Sequence, residues 1–126
     1  PREEWLRRAN PTYAVIRDME SDGLIAFGKD YQVVRDDLYQ LYMAYVDEEG
    51  GEDEVKVEKR VFTQVLSQYF NVSVSRPKLP GGREFVYVGV GLTRKGFEWL
   101  RGKVRNVKTP EAWIVDEDNG PGVGGK

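Results

Sequence analysis

The stretch formed by residues 58–90 constrains the fold more than any other part of this chain. Its first part, EKRVFTQVLSQYF, has apolar residues at helical spacing, which predicts an amphipathic helix. Its second part has β-branched and aromatic residues on both sides of a Pro/Gly cluster, which predicts a two-stranded hairpin. The predicted apolar stripe of the helix consists of Val61, Phe62, Val65, Leu66, Tyr69 and Phe70, and the opposite face of hydrogen-bond donors consists of Lys59, Arg60, Thr63, Gln64, Ser67 and Gln68.

A helix followed by a hairpin is typical of the second half of a winged helix. In that fold a recognition helix enters the major groove of DNA, and the hairpin, called the wing, reaches the flanking backbone. A second periodic segment, LYQLYMAYV, ends at Gly50-Gly51 and completes a helix-turn-helix whose turn is longer than usual. The sequence therefore predicts an α+β fold: a winged helix-turn-helix with three or four helices and a β-hairpin wing.

Capping residues mark the helices on either side of this unit. Asn10-Pro11 predicts the start of a helix that ends at Gly23. Thr93 predicts the start of a last helix, which we expect to pack back on the core. Gly96 lies inside that last helix, where glycine costs up to about 1 kcal/mol.

Strand signals are weaker. Residues 31–34 predict a short strand before a helix that opens at Asp36 or Asp37, whereas residues 24–29 indicate an irregular segment or a brief strand. Residues 55–57 indicate a short strand or the turn into the recognition helix. In the hairpin, the return strand is apolar on both faces and is expected to be the inner one. The tip is expected to stay out of a β-ladder because of Pro77, Pro80, Gly81 and Gly82.

The 126 residues suffice for one domain with a modest core and a tail. We expect residues 1–9 to be a linker or the end of an upstream domain, residues 10–108 to be the winged-helix domain, and residues 109–126 to be a flexible acidic and Gly-rich tail. Within the tail, residues 112–115 can dock as a short strand or anchor. Pro1 at the start indicates a fragment of a longer protein. Without a run of roughly 20 apolar residues or a signal peptide, we expect no membrane association and a cytoplasmic location in a prokaryotic or viral host cell.

The charge distribution predicts one basic face. The chain carries a net charge of −2, yet residues 56–108 carry +9, residues 1–55 carry −8 and residues 109–126 carry −3. A basic helix and wing favour neutralisation of phosphates, and a solvated charged surface is the alternative. The candidate DNA-contacting residues are Lys56, Lys59, Arg60, Thr63, Gln64, Ser67, Arg76, Lys78, Arg83, Arg94 and Lys95.

Catalysis is the least favoured function. The chain has no cysteine and no histidine, which removes the thiolate nucleophile and the commonest general base and zinc ligand. The acidic run in residues 47–54 lacks the spacing of a calcium loop, so a solvated loop is expected there. Residues 120–126, GPGVGGK, match a phosphate loop without its Ser/Thr and without a preceding buried strand. We therefore expect a non-catalytic domain without a cofactor or a metal.

Three segments resemble the C-terminal winged-helix region of virus- and plasmid-encoded primase–helicases, the poxvirus/phage type with a superfamily 3 helicase core. Those regions tend to show a helix of form LYxxYxxY/W, a recognition helix with Phe–x₃–Leu and a closing strand of form VYVGxxL. The matching residues are Leu38, Tyr39, Tyr42 and Tyr45, then Phe62 and Leu66, then Val86, Tyr87, Val88, Gly89 and Leu92. The following segment, LTRKGFEWL, is instead similar to repressor-type winged helices, in which LTxxGxxxL often follows the wing.

The primase–helicase resemblance implies a DNA-binding module of a replication protein, next to helicase and primase domains of the same parent chain. We expect duplex DNA rather than single-stranded DNA as the partner, and a monomer when the domain is isolated. Two alternatives stay open. A winged-helix transcription regulator would need a dimer and a palindromic site. A protein-docking winged helix would have no DNA binding, because fold does not imply function.

Overall fold

The computed structural model describes residues 2–50 and 55–116, which form an α+β fold with five α-helices and small antiparallel sheets. Within these residues no helix is both long and apolar enough to span a membrane. The helices are α1 (Arg2–Ala9), α2 (Pro11–Ser21), α3 (Arg35–Glu48), α4 (Lys59–Phe70) and α5 (Arg94–Arg101). The strands are β1 (Ile25–Val34), β2 (Ser73–Ser75), β3 (Lys78–Leu79), β4 (Gly82–Arg83) and β5 (Val86–Leu92), and a 3-10 turn follows at Glu111–Trp113.

Strand β5 lies at the centre of a three-stranded antiparallel sheet with the order β1-β5-β2. Its side chains are buried on both faces of the sheet, since the neighbouring residues Val86 and Tyr87 are both 0% exposed. The prediction that the return strand of the hairpin is the inner strand is therefore confirmed. The order of helices and strands from α2 to β5 is compatible with a winged helix.

Strand β1 is one ten-residue strand, and the prediction of two separate segments is wrong. Its register with β5 shifts between Phe27 and Gln32, where Lys29 and Asp30 are exposed. An irregularity of this kind bends a strand while pairing continues on both sides of it. Gly28, Lys29 and Asp30, which suggested the end of a strand, therefore lie within β1.

The tip of the wing is also paired, so the prediction that it stays out of a β-ladder is wrong. Lys78 lies opposite Arg83 and Leu79 lies opposite Gly82 in a separate two-stranded ladder, β3-β4. The two prolines do not prevent this pairing because Pro77 precedes β3 and Pro80 lies in the turn, outside both strands.

Most helix boundaries form as the capping residues predict. The Asn10 side chain accepts a hydrogen bond from the Tyr13 backbone N–H at 3.1 Å, and Pro11 is the first residue of α2. Gly23 has a φ of +78°, a conformation that favours glycine, where the chain leaves α2. Thr93 Oγ1 accepts a hydrogen bond from the Gly96 N–H at 2.9 Å and caps α5. Residues 55–57 are not a strand but the turn into α4.

Helix α3 begins at Arg35, one residue before the predicted opening, and its Asp37 has a structural role. The carboxylate is 1% exposed and accepts hydrogen bonds from the Lys108 N–H at 3.2 Å, the Thr109 N–H at 2.6 Å and the Thr109 hydroxyl at 2.5 Å. Burial raises the pKa of Asp37, against the opposing effect of these donors. Asp37 therefore ties the segment after α5 to the start of α3.

Residues beyond the expected domain bounds of 10 and 108 also pack on its body. Leu6 of α1 is buried, whereas its neighbour Trp5 is 61% exposed. Ile114 is buried, and the Val115 N–H donates to the Leu92 carbonyl at 2.7 Å. In the predicted tail, residues 109–116 thus contact the body, and residues 117–126 lie outside the described residues.

Gly96 lies against the backbone of Leu24, the residue that precedes β1. A Cβ atom there would lie 1.9 Å from the Leu24 carbonyl oxygen, which is backbone and has no freedom to move aside. We expect Gly96→Ala to lower the free energy of unfolding by about 3 kcal/mol or more, because α5 would have to separate from the Leu24 backbone. Chemical denaturation followed by circular dichroism measures this change.

Gly102→Ala is the matched control in the same helix region. A Cβ atom at Gly102 meets nothing closer than 3.5 Å, and the residue has a φ of −78°. Its effect should stay within about 0.5 kcal/mol. Similar stabilities for the two variants would contradict the packing described for Gly96.

Candidate nucleic-acid interface

The turn into α4 lies along α3 and is held by two tyrosines. The Tyr39 hydroxyl donates to the Val57 carbonyl at 2.7 Å, and the Tyr42 hydroxyl contacts both the Val55 carbonyl and, at 3.4 Å, the Val57 N–H. This path brings Lys59, the first residue of α4, next to the start of α3. Helix α4 is therefore positioned by hydrogen bonds to α3 as well as by its apolar face.

Helix α4 turns its apolar residues inward, as its period predicts. Phe62, Val65, Leu66 and Phe70 are buried, and Arg60, Gln64, Ser67 and Gln68 are exposed. Three of the five candidate residues on this helix, Arg60, Gln64 and Ser67, thus lie on its outer surface.

Thr63 is placed differently from its neighbours on α4. Its hydroxyl bonds to the Lys59 carbonyl at 2.9 Å and to the Tyr87 hydroxyl at 2.6 Å, so it faces strand β5. Burial raises the pKa of Tyr87 to about 12, and its hydroxyl therefore stays protonated over the physiological range. The hydrogen-bonding capacity of Thr63 is used within the fold, not on the outer surface of α4.

Carboxylates of α3 neutralise several of the basic residues. Asp36 pairs with Lys59 at 2.7 Å and with Lys108 at 3.0 Å, and Asp47 pairs with Lys56. Acidic side chains from the N-terminal half of the chain therefore form ion pairs with lysines of the basic segment. Several of the cations that give residues 56–108 their net charge of +9 are therefore neutralised by carboxylates.

The wing keeps its positive charge exposed. Arg76, Lys78 and Arg83 are all exposed, and among the described residues none of them makes an ion pair with a carboxylate. Lys78 and Arg83 lie directly opposite each other in the β3-β4 ladder, and like charges in this position destabilise a hairpin. An anion bound at the wing would relieve that repulsion.

Arg94 and Lys95 lie away from the wing. They follow β5 at the end opposite to Val86, and the strand separates the two ends by about 20 Å. Arg94 pairs with Glu111 at 3.2 Å, and the Lys95 ammonium donates to the Asp22 carbonyl at 2.7 Å. The structure thus leaves these two at the end of the sheet that is far from the wing.

Two further residues of this region do not follow from the sequence pattern. Arg35 lies in the acidic half of the chain, and Phe85 reads as part of an apolar strand. In the structure the Arg35 N–H donates to the Phe85 carbonyl at 2.9 Å, and the Phe85 side chain is 38% exposed. No local signal could have paired them, because 50 positions separate them along the chain.

The segments considered for metal or phosphate-loop chemistry fall largely outside the described residues. No group of three or more acidic side chains there is arranged to hold a metal ion. Of the acidic run in residues 47–54, the part at 51–54 lies outside the described residues, as does the GPGVGGK segment. The exposed cations of the wing and the exposed polar side chains of α4 are chemically suited to binding a polyanion.

The Asp36 ion pairs predict a pH-dependent contribution to stability. The hydrogen bond from Lys59 and the charges of Lys59 and Lys108 hold the pKa of Asp36 below its ordinary value. A carboxyl with a lowered pKa stabilises the fold above its unfolded-state pKa, and this contribution is lost as the pH falls through the folded-state pKa. We expect Asp36→Asn to lower the free energy of unfolding by roughly 1 kcal/mol at pH 7, because the pairs are partly exposed.

Urea unfolding of the wild type and of Asp36→Asn from neutral to acid pH tests this dependence, and the difference should shrink toward acid. Asp30→Asn is the control, since Asp30 is exposed and makes no ion pair with the described residues. A gap between wild type and Asp36→Asn that is independent of pH would contradict the prediction.

Comparison with known proteins gives no match to this chain: no family model, no curated protein and no solved structure is significantly similar to it. The resemblance to primase–helicases therefore stays a prediction from the sequence.

Proposed function

We propose that this chain is a winged-helix DNA-binding module, with α4 as its recognition helix and the β2-β5 hairpin as its wing. The element order supports this reading. Helix, strand, two helices and a hairpin follow one another from α2 to β5, and the last strand lies between the first and the second. A winged helix places its recognition helix and its wing on the same side in this way.

The observation that carries the proposal is the set of exposed, unpaired cations on the wing. Nearby carboxylates neutralise Lys56, Lys59 and Lys108, yet Arg76, Lys78 and Arg83 have no acidic partner in the described part of the chain. Contacts of this kind supply the sequence-independent part of DNA affinity and fix the register of a protein on the duplex.

Helix α4 contributes polar contacts rather than charge. Gln64 and Ser67 are exposed and can hydrogen-bond to base edges or to phosphates, and Arg60 is the one exposed cation of this helix. Its guanidinium is 71% exposed and lies 3.4 Å from Glu58, a weak surface pair that a phosphate can replace. We therefore assign base contacts to α4 and backbone contacts to the wing.

The wider setting that we propose is a replication protein, as the resemblance to primase–helicases implies. Duplex DNA is the proposed ligand, and helicase and primase domains of the parent chain are the proposed neighbours. A second candidate, a protein-docking winged helix, is favoured by the exposed apolar side chains of Val74 (41%) and Phe85 (38%) on the wing. Salt dependence separates the two, because an apolar interface responds weakly to salt.

Fluorescence anisotropy with labelled duplex and single-stranded DNA at several salt concentrations tests the proposal. The wild type should bind duplex DNA with an affinity that falls steeply with salt. Lys78→Gln/Arg83→Gln should reduce the slope of log affinity against log salt by about two, because two phosphate contacts are lost.

The charge-matched control is Lys95→Gln/Arg101→Gln, which removes two cations from α5 at the far end of the sheet. It should retain nearly the wild-type slope. No binding of the wild type at low salt would overturn the DNA proposal in favour of the docking module. Equal losses in the two double variants would show that the wing is not the contact surface.

A further inference from the structure

An exposed aromatic ring lies between the wing and α3 with two guanidinium groups on it. The Arg35 guanidinium carbon is 4.2 Å from the centroid of the Phe85 ring, and that of Arg76 is 5.0 Å from the same centroid. Arginine stacks on aromatic faces in this way and is held in a defined orientation by the contact. The cluster formed by Arg35, Phe85 and Arg76 is called the arginine clamp below.

Arg35 has no carboxylate partner among the residues that the structure describes. Among the described residues no carboxylate pairs with it, and its Nε atom is buried without a hydrogen-bond partner. A partly buried cation with an unsatisfied N–H destabilises a fold unless a partner completes its hydrogen bonds. Stacking on Phe85 supplies attraction to the charge but no hydrogen-bond acceptor.

The nearest acid in sequence does not supply that acceptor. Asp36 follows Arg35 directly, but its two carboxylate oxygens bind Lys59 and Lys108. Arg76 also lacks an acidic partner in the described part of the chain, and its backbone carbonyl accepts a hydrogen bond from Arg83 at 3.1 Å. Two guanidinium groups on one ring thus have donors without a carboxylate partner in the described ranges 2–50 and 55–116.

The arginine clamp lies near the side of the sheet that contacts α4. Tyr87 faces α4 through Thr63, and Arg35 lies close enough to the Tyr87 hydroxyl for its charge to oppose the rise of that pKa. The clamp therefore joins the start of α3 to the wing close to Tyr87. A DNA backbone that follows α4 toward the wing would pass over it.

We propose that the arginine clamp binds one phosphate group of the DNA backbone, with Arg35 and Arg76 donating from two different elements to the same phosphate. The planar fork of arginine suits phosphate oxygens, and stacking on Phe85 reduces the side-chain freedom that binding would otherwise remove. This inference rests on the proposed DNA binding and names the site that would fix α3 and the wing on the duplex.

Duplex DNA binding by Arg35→Gln and Arg76→Gln tests the clamp, with Arg94→Gln as the matched control. Arg94 is likewise the first residue of a helix and lies over an aromatic ring, Phe97, at 5.7 Å, but Glu111 pairs its charge. We expect each clamp variant to lose roughly tenfold in affinity, the effect of one charge-assisted hydrogen bond, and the control to lose little. Because both arginines contact one phosphate, the double variant should lose less than the product of the single losses.

A direct measurement keeps the inference testable if Arg35→Gln is unstable. In the wild type, the Nε–Hε signal of Arg35 in ¹⁵N-correlated NMR spectra should shift on addition of a short duplex, while that of Arg94 should not. If the wild type fails to bind DNA, the proposed function itself fails. If it binds, but the clamp variants behave like Arg94→Gln and the Arg35 signal stays in place, the clamp is overturned and the DNA proposal survives.

Discussion

The buried side chain of Tyr42 is the contact on which the arrangement of the helices depends. Its ring packs at 4.6 Å from that of Phe62, and its hydroxyl reaches Thr12 of α2 at 3.3 Å and the turn before α4 at Val55 and Val57. A fully buried tyrosine needs partners for its hydroxyl, and here they come from three parts of the chain. Tyr42 therefore links α2, α3 and the turn before α4, and together with the apolar face of α4 it fixes which side of that helix is exposed.

Charge pairing then decides which surface is basic. Asp36 and Asp47 on α3 form ion pairs with Lys59 and Lys56, so the acidic half of the chain neutralises basic charge at the start of α4 and just before it. On the wing, Arg76, Lys78 and Arg83 form no ion pair with a carboxylate of the described residues. The distribution favours a module in which the wing supplies most of the electrostatic attraction and α4 supplies directed hydrogen bonds.

Close backbone approaches set the rest of the architecture. Gly96 allows α5 to lie against the Leu24 carbonyl, and the buried Asp37 carboxylate holds Thr109 at the start of α3. These two contacts fasten the segment after the hairpin to the same body that carries α4. The wing is thereby supported at its base, while β2 at the edge of the sheet stays exposed. A rigid base and an exposed tip suit a hairpin that reaches along a DNA backbone.

Local physical preferences made much of this fold predictable from the sequence. Helical spacing located α4, the side chains of Asn10 and Thr93 capped their helices, and the apolar run at Val86 marked an inner strand, since these signals act within a few residues. Only the tertiary structure decided which cations pair with carboxylates, that Arg94 lies far from the wing, and that Arg35 contacts Phe85. Those outcomes depend on contacts between residues tens of positions apart, where the position of each partner is set by the packing of the core and leaves no periodic trace in the chain.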